Sequence, residues 1–143
     1  MGAGSPSCHS ASRRVRRHLD YDLFVVDSDG KNMARLTTAA GEDGWPAWSH
    51  DGRRIAYEHK PSEQTSDIHV MTADGVGDER VTDDSDDLSE YSPSWSANDL
   101  YLAYSADPDT TLDSGGIFVC KPDGRGRLKI LSDGSEPEWM PLP

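Results

Sequence analysis

The sequence predicts an all-β protein built from short antiparallel strands, and its composition and its repeats both favour this fold class. The chain of 143 residues holds 13 Gly and 9 Pro beside many Asp and Ser, a composition that favours turns over long helices. Short β-rich runs are closed by Asp-Gly pairs, which are typical of tight hairpin turns. These runs recur at a period of roughly 45 to 49 residues, so the fold is expected to repeat as well.

The charge balance limits the classes of partner. The chain carries 26 acidic residues against 14 Lys and Arg, a net charge of −12. A body this acidic repels a phosphate backbone, so we expect no general nucleic-acid binding. No apolar run approaches the roughly 20 residues that a membrane helix needs, so we expect no membrane span.

The first 20 residues differ from the rest of the chain. Residues 1–20 are small, polar and basic, with no apolar stretch that would form the core of a signal peptide. We predict a disordered basic tail over 1–20 and a folded part over 21–143. As written, the chain is expected in the cytoplasm, whereas a truncated or misassigned start would make an exported, periplasmic location the expectation. Cys8 in the tail and Cys120 in a predicted strand indicate neither a metal site nor a disulfide framework.

The first repeated element is a strand that closes on Asp-Gly. Its copies begin at Asp22, Asp67 and Gly116 and read DLFVVDSDG, DIHVMTADG and GIFVCKPDG. The second position is always Leu or Ile and the fourth is always Val, a period-two spacing that predicts one buried strand face. The closing glycine is free to adopt the positive φ that a tight turn needs. The pairs that close the second and third copies are Asp74-Gly75 and Asp123-Gly124.

A second element interleaves with the first. The run PAWSHDGRRIAY at 46–57 aligns with PSWSANDLYLAY at 93–104, and PEW at 137–139 begins a third copy. Each copy predicts a short strand that ends at Trp, a tight turn, and a second strand that ends at Tyr. Because aromatic rings bury large areas, we expect them to fill the gaps between neighbouring sheets. The signature residues of this element are Trp48, Asp51, Gly52, Tyr57, Trp95, Tyr104 and Trp139.

A third element supplies the last strand of each unit, as RLT at 35–37, RVT at 80–82 and, more loosely, KIL at 129–131. Four short antiparallel strands in roughly 46 residues are typical of a β-propeller blade. We therefore predict a partial β-propeller of about 2.5–3 four-stranded blades. The predicted parts are a half-blade at 22–37, a blade at 45–82, a blade at 93–131 and an inner strand at 137–140.

The combined pattern resembles a known repeat family. P-x-W-S-x-D-G-x-x-I-A-Y, followed by D-I-x-V-M-x-A-D-G and R-V-T, is similar to the PD40 or WD40-like repeat of TolB-like propellers. The resemblance covers about residues 20–140 and is strongest over 46–82. The second copy departs from the pattern, because Asn98-Asp99 replaces Asp-Gly and Gly116 replaces the leading Asp. The resemblance implies a propeller fold with a binding or scaffold role, and it specifies no ligand.

The number of blades is smaller than the four to eight that closed propellers contain. A row of about three blades leaves two open faces, whose aromatic and aliphatic side chains would meet water. Three explanations stay open. The chain is a fragment of a longer propeller, it forms a homodimer that completes a ring of about six blades, or it docks onto another propeller protein.

The acidic run DDSDD at 83–87 is the best candidate for a metal site. Its carboxylates are the oxygen ligands that Ca²⁺ prefers, although a solvated acidic loop between two blades is the simpler interpretation. The five His residues are scattered without ligand spacing, so we expect no cofactor. The weak metal candidates are Asp83, Asp84, Asp86 and Asp87.

The sequence contains no G-x-S-x-G elbow, no P-loop and no H-E-x-x-H motif. We therefore predict a non-enzymatic interaction module that binds a protein or peptide partner on a propeller face. Two alternatives stay open at this point: a fragment or accessory part of a propeller-containing hydrolase or peptidase, and a propeller that binds a small molecule or Ca²⁺.

Overall fold

The computed structural model describes residues 7–11, 21–61, 65–82, 88–108 and 115–140. These residues form β-strands joined by turns and extended segments. The strands in chain order are β1 (Ser7–Ala11), β2 (Asp22–Val26), β3 (Ala34–Arg35), β4 (Glu42–Trp48), β5 (Arg54–Lys60), β6 (Asp67–Thr72), β7 (Glu79–Arg80), β8 (Leu88–Trp95), β9 (Leu102–Pro108), β10 (Gly116–Cys120) and β11 (Leu128–Leu131). No helix in these ranges is long and apolar enough to cross a membrane.

The strands form three antiparallel sheets, which we call blades A, B and C. Blade A has the order β1-β2-β3, blade B has the order β4-β5-β6-β7, and blade C has the order β11-β10-β9-β8. In blades B and C each strand is hydrogen-bonded to the next one along the chain, and all of these pairs are antiparallel. The predicted all-β, partial β-propeller of about three blades is thereby confirmed.

Two apolar clusters hold the blades together. Between blades A and B, the buried side chains are Leu23, Ile55, Tyr57 and Met71, with Leu36 and Trp48 packed against them. Between blades B and C, the cluster contains Ala56, Ile68, Val70, Val81, Trp95, Leu102, Tyr104, Ala106 and Cys120. The alternation of β5 explains both clusters, since Ile55 and Tyr57 face blade A while Ala56 faces blade C. Trp48 and Tyr57 lie in the first cluster and Trp95 and Tyr104 in the second, where the sequence predicts such rings.

The structure differs from the sequence prediction near the N-terminus. Residues 7–11, which the sequence places in a disordered tail, form β1 and pair with β2 from Ser7 opposite Val26 to Ala11 opposite Asp22. The physical reason is the edge of β2, whose N–H and C=O groups a neighbouring extended segment satisfies even when its own sequence is polar. Blade A therefore contains the second, third and fourth strands of a blade, and the described residues provide no innermost strand for it.

A second difference lies at 137–140, where the sequence predicts an inner strand and the structure has an extended segment without ladder pairing. This segment lies on blade C, where the Glu136 N–H donates to Ser105 Oγ at 2.8 Å. Trp139 Nε1 donates to the Ser94 carbonyl at 3.1 Å. A strand needs a neighbour in its own sheet, and no described residue supplies one here, so only contacts with blade C hold the segment.

Candidate interaction surface

The Asp-Gly repeats build the turns that support the blades. In the turn after β4, Asp51 Oδ1 accepts from Ser49 Oγ at 2.6 Å and from the Arg53 N–H at 3.0 Å. The hydrogen bond from Ser49 lowers the pKa of Asp51. Gly52 has φ +68°, in the left-handed region that glycine adopts without strain. Turns of the same kind, each with a positive-φ glycine, occur at Asp29-Gly30, Asp74-Gly75 and Asp123-Gly124.

The departure at Asn98-Asp99 has a structural explanation. Asn98 Oδ1 takes the acceptor role and receives a hydrogen bond from Ser96 Oγ at 2.8 Å. Asp99 occupies the glycine position with φ +56°. Its carboxylate reaches the neighbouring blade, where Oδ1 accepts from the His50 N–H at 2.7 Å and Oδ2 accepts from the Asp51 N–H at 2.9 Å. This turn of blade C therefore also caps a turn of blade B.

The tryptophans of the repeat tie each blade to the one before it. Trp95 Nε1 donates to the Ala47 carbonyl at 3.0 Å, and Trp139 Nε1 donates to the Ser94 carbonyl at 3.1 Å. Each acceptor lies one residue before the repeat tryptophan of the preceding blade. Trp48 holds the same position in blade B, and its buried Nε1 finds no acceptor among the described residues. Within the described residues, the hydrogen bond from the indole of Trp48 is therefore missing from this series.

The inner strands carry a bulge that the sequence analysis did not identify. The pairing of β4 with β5 shifts between Gly44 and Ala47, and that of β8 with β9 shifts between Tyr91 and Ser94. A left-handed backbone at a non-glycine residue costs about 1–2 kcal/mol of folding free energy. Because the bulge recurs in two blades despite this strain, we infer that the packing of the inner strands requires it. The only sequence signal is a proline after each strained residue. The strained residues are Trp45 (φ +48°) and Ser92 (φ +52°) in the two bulges, and Glu136 (φ +54°) at the equivalent position of the unpaired C-terminal segment.

Trp45 is the side chain of these bulges that is best placed to meet a partner. It is 54% exposed although it lies on an inner strand, and the inner strands of a propeller surround the central channel. Tyr21, 38% exposed, forms a bridge with Glu42 at the start of the same strand. Trp and Tyr are the residues most enriched at binding hot spots. Comparison of the sequence repeats does not identify Trp45, because the equivalent residues in the other copies are Ser92 and Glu136.

A polar network lies on the face of blade B that is turned towards blade A. The Nδ1 atom of His59 lies 2.6 Å from Oδ1 of the buried Asp43. Asp78 Oδ1 accepts from Tyr57 OH at 2.8 Å and lies 3.1 Å from His69 Nδ1. The rings of His59 and His69 are 5.1 Å apart. The network thus links two histidine–carboxylate pairs on neighbouring strands.

Burial and these carboxylates set the ionisation of the network. Burial, with the hydrogen bond to Asp78, raises the pKa of Tyr57 far above its usual range. Partial burial opposes ionisation of Asp78, but hydrogen bonds from His69 and Tyr57 outweigh it and lower the pKa of Asp78. The prediction that His69 faces Tyr57 across a hairpin is confirmed, since the two residues pair in register and their rings are 5.5 Å apart.

The structure within the described ranges contains no group of three or more His, Cys, Asp or Glu residues arranged to hold a metal ion. The metal candidates from the sequence, Asp83, Asp84, Asp86 and Asp87, lie outside those ranges. The structure therefore brings the repeat signature residues together at turns and blade interfaces. Trp45 and Tyr21 are exposed aromatic residues outside this repeat signature.

Comparison with solved structures identifies the fold. No protein-family model and no curated protein sequence matches the chain. Among solved structures, putative TolB from Agrobacterium tumefaciens superimposes with a TM-score of 0.74 at 21% identity, over 88% of this chain and 45% of that one. TolB from Acinetobacter baumannii gives a TM-score of 0.64 at 20% identity, over 78% and 26%. A nidogen/laminin complex gives 0.60 at 18% identity, over 76% and 39%.

The chain spans less than half the length of each of these structures. It has the fold of a TolB-like β-propeller, and at these identities the likeness concerns the fold alone.

Proposed function

We propose that this chain is a β-propeller interaction module that binds a protein or peptide partner and catalyses no reaction. The observation that carries the proposal is Trp45, which is 54% exposed on an inner strand at a strained backbone position. A rigid aromatic side chain supplies a large contact area at a low cost in conformational entropy. Strain at such a position is retained when the surrounding structure requires it, which is common at binding sites. The TolB-like fold also supports the proposal of an interaction module.

Charge defines the kind of partner that we propose. The chain has a net charge of −12, so a basic segment is attracted to it and an acidic one is repelled. Glu42 lies at the start of β4, beside the exposed Tyr21. The proposed ligand is a Lys- or Arg-rich peptide segment with an apolar side chain that contacts Trp45.

The proposal includes a second copy of the chain. The outer faces of blades A and C have no neighbouring blade among the described residues, and apolar side chains on blade C are exposed, including Leu128 (62%) and Leu131 (54%). Exposed apolar surface of this kind favours association. Two copies of three blades give six, which lies within the four to eight blades of closed propellers. Nothing in the described ranges specifically favours the hydrolase-accessory or Ca²⁺-binding alternatives.

The experiment selects basic peptides from a displayed library on the purified chain and measures their affinity by fluorescence anisotropy. We expect Trp45→Ala to weaken binding at least tenfold, because it removes the central aromatic contact. Leu100→Ala is the matched control, since Leu100 is 59% exposed in the turn between β8 and β9. Equal affinity of the Trp45→Ala variant and the wild type would refute the proposed site.

A further inference from the structure

We propose that two copies of this chain close one ring by exchanging their C-terminal segments. Residues 137–139 of each copy then supply the inner strand that blade A of the other copy lacks. This inference deepens the homodimer of the proposed function and rests on it. It adds which blade surfaces of the two copies are in contact, which segment is exchanged between them and which atoms form a hydrogen bond between the copies.

The strands present in each blade define the missing part. In blades B and C, the inner strands β4 and β8 pair with the strands that follow them, β5 and β9. In blade A, β1 pairs with β2 as β5 pairs with β6, so the position inside β1 has no strand among the described residues. The segment 137–139 has the Pro-x-Trp signature of an inner strand, but it has no sheet of its own. The segment 137–139 of one copy therefore matches the inner strand that blade A of the other copy lacks.

The tryptophan contacts identify the pairing atoms. Trp95 and Trp139 each donate to the carbonyl of the residue before the tryptophan of the preceding blade. Trp48, the first of the series, has a buried Nε1 without an acceptor in the described part of the chain. In the segment 137–139 the residue before the tryptophan is Glu138. We therefore assign the carbonyl oxygen of Glu138 in the second copy as the acceptor for Trp48 Nε1.

The turn glycines provide an independent observation. A Cβ atom on Gly124 would lie 2.3 Å from the carbonyl oxygen of Val81 in the preceding blade, and a Cβ atom on Gly75 would lie 3.2 Å from the carbonyl oxygen of Leu36 in blade A. The equivalent glycine of blade A, Gly30, has open space around it. By the repeat, the carbonyl that would approach Gly30 belongs to Ile130 of a blade C. A blade C from the second copy fills this space.

The two open faces are both apolar. Leu23 packs towards blade B, so the alternation of β2 places the partly buried Val26 on the opposite face of blade A, which has no neighbouring blade among the described residues. On blade C, Val119 pairs with Leu128, and the Leu128 side chain is 62% exposed. Burying these faces against each other removes apolar surface from water, as the contacts between blades A and B and between blades B and C already do.

The geometry of the contact determines the stoichiometry. Blade C of one copy meets blade A of the other, and blade A of the first copy meets blade C of the second, so a two-fold axis relates the two contacts. Such contacts close when the rotation completes a circle. Two copies give twice three blades, or six, whereas three copies would give nine and exceed the range of closed propellers. The inference therefore predicts a closed dimer with two equivalent interfaces.

The test measures molar mass by size-exclusion chromatography with light scattering, together with circular dichroism to confirm that each variant retains its β-structure. We expect the wild type at twice 15.7 kDa. Val26→Asp damages the open face of blade A and Leu128→Asp damages that of blade C, so each variant alone should be monomeric. An equimolar mixture should recover dimer, because one of its two interfaces is intact. Val76→Asp is the control, an exposed turn position on blade B that should leave the dimer unchanged.

A monomeric wild type would overturn both the homodimer and the strand exchange. A dimer that survives Val26→Asp and Leu128→Asp, or folded variants that fail to complement each other, would overturn the exchange and leave the homodimer in place. Peptide binding through Trp45 is measured separately, so neither result decides the other.

The assigned hydrogen bond has its own measurement. The indole N–H signal of Trp48, identified by its loss in Trp48→Phe, should exchange with solvent at least tenfold more slowly in the wild-type dimer than in the Leu128→Asp monomer. The indole N–H of Trp95 is the internal control, because its acceptor lies within the same chain. Equal exchange of the Trp48 signal in both states would overturn the assignment of the Glu138 carbonyl.

Discussion

Asp99 caps the turn that contains His50 in the neighbouring blade, with its Oδ1 atom 2.7 Å from the His50 main-chain nitrogen. Its second carboxylate oxygen accepts from the N–H of Asp51 at 2.9 Å. The residue holds a left-handed backbone, φ +56°, at a position where the repeat otherwise has glycine. The gain from joining two blades is therefore opposed by local backbone strain.

Replacing Asp99 with Gly separates these two effects. Asp99→Gly relieves about 1 kcal/mol of backbone strain but removes both hydrogen bonds to blade B, each worth about 1 kcal/mol or more. We expect a net loss of about 1–2 kcal/mol in the free energy of unfolding, measured by urea denaturation. Asp99→Asn, which keeps an acceptor and tolerates this backbone, should lose less. A more stable Asp99→Gly variant would contradict the capping role.

Two turn glycines differ in their surroundings, which makes them a matched pair. Gly52 and Gly124 have φ values of +68° and +80°, so alanine is strained at both positions. A Cβ atom at Gly52 meets open space, and Gly52→Ala should cost about 1 kcal/mol. At Gly124 the Cβ atom would also lie 2.3 Å from the Val81 carbonyl oxygen. Gly124→Ala should therefore lower the thermal midpoint clearly more than Gly52→Ala, and equal midpoints would argue against the close approach of blades B and C.

The network around Asp78 predicts a contribution to acid denaturation. Hydrogen bonds from His69 and Tyr57 outweigh partial burial and lower the pKa of Asp78 in the folded state. Its stabilising contribution is present above the unfolded pKa of about 3.9 and is lost as pH falls through the lower folded value. We expect Asp78→Asn to reduce the loss of stability below about pH 4, measured as urea midpoints between about pH 6 and 2.5.

Asp133→Asn is the control for this pH series, since Asp133 is exposed on the segment after β11. Its acid limb should follow that of the wild type. If Asp78→Asn also follows the wild type, the hydrogen bonds to Asp78 do not contribute to acid sensitivity.

The Cys120 thiol should be unreactive in the folded protein. It is buried between blades B and C, and burial raises its pKa to about 12. Because the thiolate is the reactive form, a Cys8→Ser variant should react with a chromogenic disulfide reagent only as fast as it unfolds. The rate should rise with urea in parallel with unfolding followed by circular dichroism. Rapid labelling without denaturant would show that the interface between blades B and C opens in the native state.

The repeat made much of the fold predictable. The alternation around Ile68 and Ile117, the aromatic residues Tyr57 and Trp95, and the Asp-Gly turns all depend on neighbours within a few positions along the chain. These local patterns were sufficient to predict strands, turns and contacts between sheets. They were insufficient for β1, whose polar sequence has no strand pattern and whose pairing depends on the edge of β2.

The candidate surface was less predictable. Trp45 lies outside the shared pattern, and its strained backbone arises from the register shift between β4 and β5. The role of Asp99 could not be predicted from the sequence, where Asp99 is only a departure from the repeat pattern. Its function depends on the contact of its carboxylate with blade B, which only the structure shows. Both features depend on strand pairing or contacts between blades.

The sequence by itself determined the all-β class, the blade period and the residues that fill the space between blades, because these follow from short-range alternation and turn chemistry. Only the tertiary structure decided which contacts are complete. Trp95 and its acceptor Ala47 are 48 positions apart, and Trp48 has no such acceptor among the described residues. The reason is physical: hydrogen bonds between blades join atoms from successive repeats, so a missing one becomes apparent only when the repeats are packed together.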